Sequence, residues 1–181
     1  MILRWEKWWS CIVLALVLAG CDSRPPQARK APAGVPVAVQ QAWERIAGHT
    51  FQDLQGQPRQ LSQLRKGVLV VNYWASWCPP CRMELPGFAH LAEKYAEKGV
   101  QFVGVGIDSP ENVQRFAAEQ KLPFPLWQAM TADLAATAEL GNTGQGLPFT
   151  VVIDANGALR KAKVGFWRED DLDVVLKSLV N

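Results

Sequence analysis

The sequence is poor in cysteine and has little net charge, and each shortage excludes a class of protein. Among 181 residues, 19 are Lys or Arg and 17 are Asp or Glu, so the formal net charge is +2. This balance argues against a nucleic-acid groove and against a polybasic membrane patch. Four cysteines are too few for a disulfide-stapled scaffold of this size. The length indicates one domain with at most an appendage, and a hydrophobic share of 49% supplies its core.

The N-terminal segment has an apolar run too short for a transmembrane helix. Arg4 and Lys7 precede a run at 11–20 of about ten residues, the length of a signal-peptide core. The run ends in the letters LAGC, which resemble the bacterial lipobox, where cleavage precedes the cysteine and its sulfur is acylated. We therefore expect residues 1–20 to be a lipoprotein signal peptide and Cys21 to be lipidated. The alternatives are an uncleaved anchor and an ordinary signal peptide with a chance cysteine.

The segment after Cys21 is typical of an extended tether. Over about residues 22–40 it shows neither helical nor strand periodicity, and it contains Pro25, Pro26, Pro32 and Pro36. Asp22 resembles the residue that retains lipoproteins on the inner membrane of many Gram-negative bacteria. We therefore expect a lipid-anchored tether at 21–47, a folded domain at 48–181, and a position on the periplasmic face of the inner membrane.

From Phe51 onward, short apolar runs alternate with helical patterns. The runs at 68–73 and 100–107 are typical of buried strands, and the helical pattern at 79–98 between them predicts a parallel crossover. The other predicted elements are a helix from Pro110 to about Lys121, a strand at 124–127, a helix at 132–140, strands at 149–153 and 158–164 joined by an Asn-Gly turn, and a helix at about 169–180. This order predicts one α/β domain with a mixed sheet.

Cys78 and Cys81 lie at the junction of the first buried strand and the helix that follows. Cysteines at this spacing bring their sulfurs within bonding distance, and the positive helix N-terminus favours a thiolate at the first of them. Pro79 and Pro80 are tolerated in the first helical turn, and they remove two N–H donors that could bind the Cys78 sulfur. We therefore expect Cys78 to be the nucleophile and Cys81, one turn inside, to be the shielded resolving thiol.

The motif WASWCPPC after VLVVNY, with GLPFT at 146–150 and VID at 152–154 downstream, resembles the thioredoxin superfamily. The closer similarity is to its TlpA/ResA-like, DsbE/CcmG-related branch of membrane-tethered extracytoplasmic thiol-disulfide oxidoreductases, over about 48–181. The resemblance implies a thioredoxin-like fold, with a central mixed β-sheet flanked by helices. It also implies an N-terminal β extension and an inserted strand and helix, at about 124–140, before the loop of Pro148.

The resemblance also assigns residues to substrate binding. Pro148 matches the family's cis-proline, and Leu147 before it offers backbone groups to the bound substrate. Trp77 and Pro79, on either side of Cys78, are expected to contact the client.

A carboxylate close to the thiols is a further family feature. Where thioredoxin has a buried aspartate, six residues before its first cysteine, this sequence has Asn72. Glu84 lies at i+3 from Cys81 on the same helix face, at the position of the family's carboxylate. A partly buried carboxylate with a raised pKa is able to accept the Cys81 proton, whereas the alternative is a solvated glutamate on the helix surface.

The function predicted by the resemblance is reduction of client-protein disulfides through the Cys78/Cys81 dithiol. The family's clients include apocytochrome c cysteines in cytochrome c maturation, and a membrane electron donor of the DsbD or CcdA type restores the dithiol. Alternatives are a thiol oxidase or isomerase of the same fold, a peroxiredoxin-like peroxidase, and a binding module without redox activity. We expect a monomer, no nucleic-acid partner, and no cofactor beyond the redox-active cysteine pair. His49 and His90 do not complete a metal site with the cysteines.

Overall fold

The computed structural model describes residues 35–64 and 66–180, which form a mixed β-sheet with helices on both faces. The strands are β1 (Phe51–Asp53), β2 (Pro58–Arg59), β3 (Val68–Trp74), β4 (Val100–Ile107), β5 (Leu126–Ala129), β6 (Phe149–Ile153) and β7 (Leu159–Val164). The helices are α1 (Val37–Ala47), α2 (Pro79–Tyr95), α3 (Pro110–Gln120), α4 (Thr131–Ala136) and α5 (Glu169–Leu179). Short 3-10 turns lie at Leu61–Leu64, Ala96–Lys98 and Thr137–Leu140.

The strand order within these residues is β2-β1-β5-β4-β3-β6-β7. Strands β3, β4 and β5 are parallel neighbours, whereas β1, β2, β6 and β7 pair antiparallel with their neighbours. Every residue of β3 is buried, as expected for a central strand covered on both faces. The predicted mixed sheet and its parallel pair are confirmed.

Alternation along β3 divides its side chains between two cores. Leu69, Val71 and Tyr73 join the core that includes α1, and Val70 and Trp74 join the core that includes α2 and α5. Because successive residues of a strand point to opposite faces, Asn72 faces the α2 side. This places a polar side chain beneath the helix that carries the cysteines.

The structure corrects the predicted boundary between tether and domain. Residues 37–47, assigned to the tether, form helix α1, in which Trp43, Ile46 and Ala47 are buried in the core. These residues recur at helical spacing, but the prolines before them gave the segment the composition of an extended linker. Pro36 occupies the N-cap of α1, where a missing backbone N–H costs little. The folded domain therefore includes α1.

The inserted strand and helix are present, with shifted bounds. The strand predicted at 124–127 is instead Leu126–Ala129. Pro125 has no N–H to donate, although its carbonyl still accepts a hydrogen bond from the Gly104 N–H of β4. The helix predicted at 132–140 is α4 followed by the 3-10 turn at 137–140. The predicted N-terminal β extension is the β1–β2 hairpin, and β1 pairs with β5.

The predicted signal peptide at 1–20, Cys21 and most of the predicted tether lie outside the described residues. Among the helices of 35–64 and 66–180, none has the length and apolar character needed to span a bilayer.

Candidate active site

Cys78 caps the N-terminus of α2 and is joined to Cys81 by a disulfide with an S–S distance of 2.03 Å. Pro79 and Pro80 occupy the first turn of α2, as the sequence predicts. The backbone N–H of Cys81 donates to the Cys78 sulfur at 3.3 Å. The sulfur of Cys78 thus lies at the positive end of the helix, with one backbone donor directed at it.

The two cysteines differ in their access to a partner. Cys78 is 3% exposed and lines a groove of about 430 Å³, whereas Cys81 is 0% exposed and does not line it. The groove is lined by Trp77, Cys78, Pro79, Pro80, Ile107, Thr131, Leu134, Gln145 and Leu147. A disulfide-bearing client that enters the groove therefore reaches Cys78 first.

The groove brings together three of the residues expected to bind substrate. Trp77, which is 67% exposed, lines the groove together with Pro79 and Leu147. The Leu147–Pro148 peptide bond is cis, as the resemblance implies. Pro148 itself is buried and lies outside the groove lining.

Sequence reasoning missed the opposite wall of the groove. Ile107 ends β4, Thr131 and Leu134 belong to α4, and Gln145 precedes the cis-proline loop. Their chemistry is ordinary for core or surface positions, so no motif marked them. Thr131 and Leu134 reach the groove because β5 pairs with β4 and delivers α4 beside the cysteine loop.

Glu84 is buried on the inner face of α2 and is 2% exposed. Its Oε1 accepts a hydrogen bond from Asn72 Nδ2 at 2.8 Å, and its Oε2 accepts one from the Trp167 backbone N–H at 2.8 Å. The alternative of a solvated helix glutamate is therefore wrong. Asn72 occupies the position of thioredoxin's aspartate and binds the carboxylate that Glu84 supplies.

Burial raises the pKa of Glu84 to about 7. The hydrogen bonds from Trp167 and Asn72 and the positive charge of Lys163 oppose this rise without cancelling it. A carboxyl group with a pKa near neutrality exchanges its proton readily at physiological pH. Glu84 thus has the ionisation expected of a group that accepts a proton from a buried thiol.

Asn72 and Thr150 form a directly opposed pair on β3 and β6. Asn72 Nδ2 donates to Thr150 Oγ1 at 2.9 Å as well as to Glu84, and Asn72 Oδ1 has no hydrogen-bond partner. Thr150 follows Pro148 by two residues, so this polar contact connects the cis-proline strand to the cysteine helix. Thr150 lies within the GLPFT letters, but nothing in them marks it as a partner of Asn72, and the N–H of Trp167 carries no sequence signal. The register of β6 against β3 brings Thr150 to Asn72, and the segment before α5 brings Trp167 to Glu84.

The two histidines lie apart from the cysteine pair. His49 Nδ1 is 3.3 Å from Asp133 Oδ1, and His90 Nδ1 is 2.5 Å from Glu169 Oε1. Within residues 35–64 and 66–180, no group of three or more His, Cys, Asp and Glu side chains is arranged to hold a metal ion.

Comparison with known families agrees with this geometry. The Redoxin family matches residues 27–176, most of the chain. The chain belongs to the Redoxin family.

Its curated relatives include thiol-disulfide oxidoreductases that are named ResA. The ResA of Geobacillus thermodenitrificans is 30% identical over 128 residues, 70% of this chain and 71% of the relative. The ResA of Halalkalibacterium halodurans is 30% identical over 129 residues, 71% of each.

A solved structure extends the similarity to the fold. The thiol:disulfide interchange protein of the thioredoxin family from Chlorobium tepidum TLS is 28% identical, with a TM-score of 0.65 over 74% of this chain and 93% of that one. The chain therefore has a thioredoxin-like fold. It is a ResA-like thiol-disulfide oxidoreductase, and its substrates are proteins that contain thiols. The fold class and enzyme class predicted from sequence are confirmed, which decides against a binding module without redox activity.

Proposed function

We propose that this Redoxin-family oxidoreductase reduces client-protein disulfides, with Cys78 as nucleophile, Cys81 as resolving thiol and Glu84 as proton acceptor. The observation that carries the proposal is the unequal access of the two cysteines: Cys78 lines the groove, and Cys81 is sealed behind it. This difference in access supports Cys78 as the cysteine that meets the client disulfide.

The reaction takes place in two exchanges. The Cys78 thiolate attacks one sulfur of the client disulfide, which forms a mixed disulfide and releases the other client sulfur as a thiolate that takes up a proton. Glu84 accepts the proton of Cys81, whose thiolate then attacks the Cys78 sulfur. The second client sulfur leaves as a thiolate, and the Cys78–Cys81 disulfide remains. Two electrons have passed from the enzyme to the client.

Reduction is favoured over oxidation by the residues between the cysteines. A strong oxidant of this fold stabilises its thiolate and hence its reduced form. Here two prolines occupy the intervening positions and supply neither a cation nor an N–H donor to the Cys78 sulfur. A membrane electron donor of the DsbD or CcdA type then restores the dithiol, because an extracytoplasmic compartment is oxidising.

The proposed location is the periplasmic face of the inner membrane, with the lipid on Cys21 as anchor. The support comes from the LAGC letters that end the apolar run and from Asp22 after them. A diacylated cysteine anchors a protein stably, whereas one acyl chain holds it only marginally. Apocytochrome c is the proposed client, with its cysteine disulfide reduced to two thiols, and the protein acts as a monomer without a cofactor.

Trapping of mixed disulfides tests the assigned roles. With Cys81→Ala, clients are expected to accumulate as mixed disulfides that mass spectrometry identifies, because the resolving step is lost. With Cys78→Ala, no such complexes should form, and equal trapping by the two variants would refute the assignment.

The direction of electron flow and the peroxidase alternative need separate measurements. The reduced full chain should convert a model disulfide peptide to its dithiol, with one Cys78–Cys81 disulfide formed per peptide. Oxidation of a dithiol peptide by the disulfide form at a greater rate would favour the oxidase. Hydrogen peroxide consumption faster than disulfide exchange would favour the peroxidase.

A further inference from the structure

Asp108 holds the turn that presents Cys78. It directly follows the last residue of β4, and its Oδ2 accepts hydrogen bonds from the Ser76 backbone N–H at 3.1 Å and from Ser76 Oγ at 2.5 Å. Ser76 belongs to the turn in which the Cys78 N–H donates to the Ala75 carbonyl at 3.2 Å. The cysteine loop is thus fastened to the end of the neighbouring parallel strand by one carboxylate.

The second oxygen of Asp108 is also occupied. Oδ1 accepts from the Ser109 N–H at 2.9 Å and from Asn112 Nδ2 at 2.6 Å. All four donors are neutral, so these contacts orient the carboxylate without pairing it with a cation. Burial by itself raises the pKa of Asp108. The hydrogen bonds lower it by more, chiefly those from the Ser76 and Asn112 side chains, so the pKa of Asp108 lies below its ordinary value. Asp108 is therefore ionised at neutral pH.

This negative charge lies where two helices begin. α2 starts at Pro79, three residues after Ser76, and α3 starts at Pro110, two residues after Asp108. Asp108 and Trp77 also line one shallow cavity of about 340 Å³ beside the active-site groove. The positive potential at the start of α2 favours a Cys78 thiolate, and a fixed anion in the same region opposes it.

We propose that Asp108 is a positioning residue that fixes the Ser76–Cys78 turn against β4 and, by its charge, restrains ionisation of the Cys78 thiol. The inference rests on the proposed role of Cys78 as nucleophile and deepens it. A thiolate stabilised less strongly makes the reduced enzyme a better electron donor. Asp108 therefore biases the site toward reduction of its clients.

The test is the pH dependence of Cys78 alkylation in the full reduced chain. The Cys81→Ala background leaves Cys78 as the thiol of the site, and mass spectrometry of the alkylated peptide follows its reaction with iodoacetamide from pH 5 to pH 10. Asp108→Asn should speed alkylation about three- to tenfold on the acidic limb of the profile, because more of the thiol is ionised there. In the chain with both cysteines, the same replacement should make the reduction potential less negative by up to about 30 mV, the tenfold limit for two electrons.

Asp154→Asn is the matched control. Asp154 accepts hydrogen bonds from the backbone N–H groups of Asn156 and Ala158 in the β6–β7 turn, at the other end of the sheet from the cysteines. This variant loses the same charge and should leave the alkylation profile unchanged. Ser76→Ala keeps the charge of Asp108 and the backbone N–H bond to its Oδ2 but loses the hydroxyl contact, so its profile should shift by less than that of Asp108→Asn.

Two results would overturn the inference. One is an Asp108→Asn profile that superimposes on that of the parent, and the other is an equal shift in Ser76→Ala or Asp154→Asn. Should Asp108→Asn fail to fold by circular dichroism, Asp108→Ser provides the same test, because it removes the charge and retains a small acceptor. Mixed-disulfide trapping does not depend on this shift, so failure of the inference and failure of the proposed function are distinguishable.

Discussion

Replacing Glu84 by Gln should remove a pH-dependent loss of stability in the oxidised protein. Glu84 is 2% exposed, and burial raises its pKa from the ordinary value of 4.5 to about 7. Between these values the folded chain retains a proton that the unfolded chain has released. The free energy of unfolding therefore falls as pH rises from about 4.5 to about 7, and the full contribution of Glu84 is present only below pH 4.5.

The magnitude follows from the same two values. At about 1.4 kcal/mol per pH unit, the rise from 4.5 to about 7 corresponds to about 3 kcal/mol. Glutamine has no proton to release, so the difference in unfolding free energy between parent and Glu84→Gln should change by about this amount across the interval. In the variant, a rotation of the Asn72 side-chain amide by about 180° turns its unpaired Oδ1 toward the NH2 group of the new glutamine side chain. Asn72 Oδ1 then accepts a hydrogen bond from this NH2 group, which limits the loss of hydrogen bonds.

Urea denaturation followed by tryptophan fluorescence measures this difference at intervals from pH 4 to pH 8. Glu93→Gln is the control, because Glu93 lies exposed on the same helix. Parallel curves for the parent and Glu84→Gln would show that Glu84 does not titrate in this interval. That result would also remove the reason for assigning it the Cys81 proton.

Two further outcomes are expected. Trp43→Ala should lower the free energy of unfolding by about 3–5 kcal/mol, because this fully buried side chain fixes α1 to the core, whereas Val37→Ala on the exposed side of the same helix should change it little. Denaturant titration measures both, and equal small effects would mean that α1 is not part of the folded unit. Trp77→Ala should raise the KM for a disulfide peptide about tenfold with kcat nearly unchanged, because the exposed indole supplies apolar surface to the groove. Met83→Ala is its control, since Met83 is 69% exposed and does not line the groove, and steady-state kinetics in which both variants behave alike would contradict a docking role for Trp77.

The sequence predicted those features that depend on local pattern. The apolar runs of β3 and β4 are long and buried on both faces, so the sequence predicts both their strand structure and their parallel pairing. The two cysteines at a strand–helix junction identified the redox site for the same local reason. At α1 the composition of the preceding proline-rich stretch outweighs a short helical period, so the sequence indicates a linker, although the helix buries Gln40, Ala42, Trp43, Ile46 and Ala47.

The sequence by itself determined the thiol pair, its place at a helix N-terminus and the carboxylate one turn further along. Only the tertiary structure decided that Glu84 is buried, since its partners are Asn72 on β3 and the backbone of Trp167 before α5. The register of β3 against β6 and the pairing of β5 with β4 were likewise decided there, and they set the polar contact beneath the site and the far wall of the groove. Such contacts join residues distant in the chain, and their free energy depends on packing that no local pattern encodes.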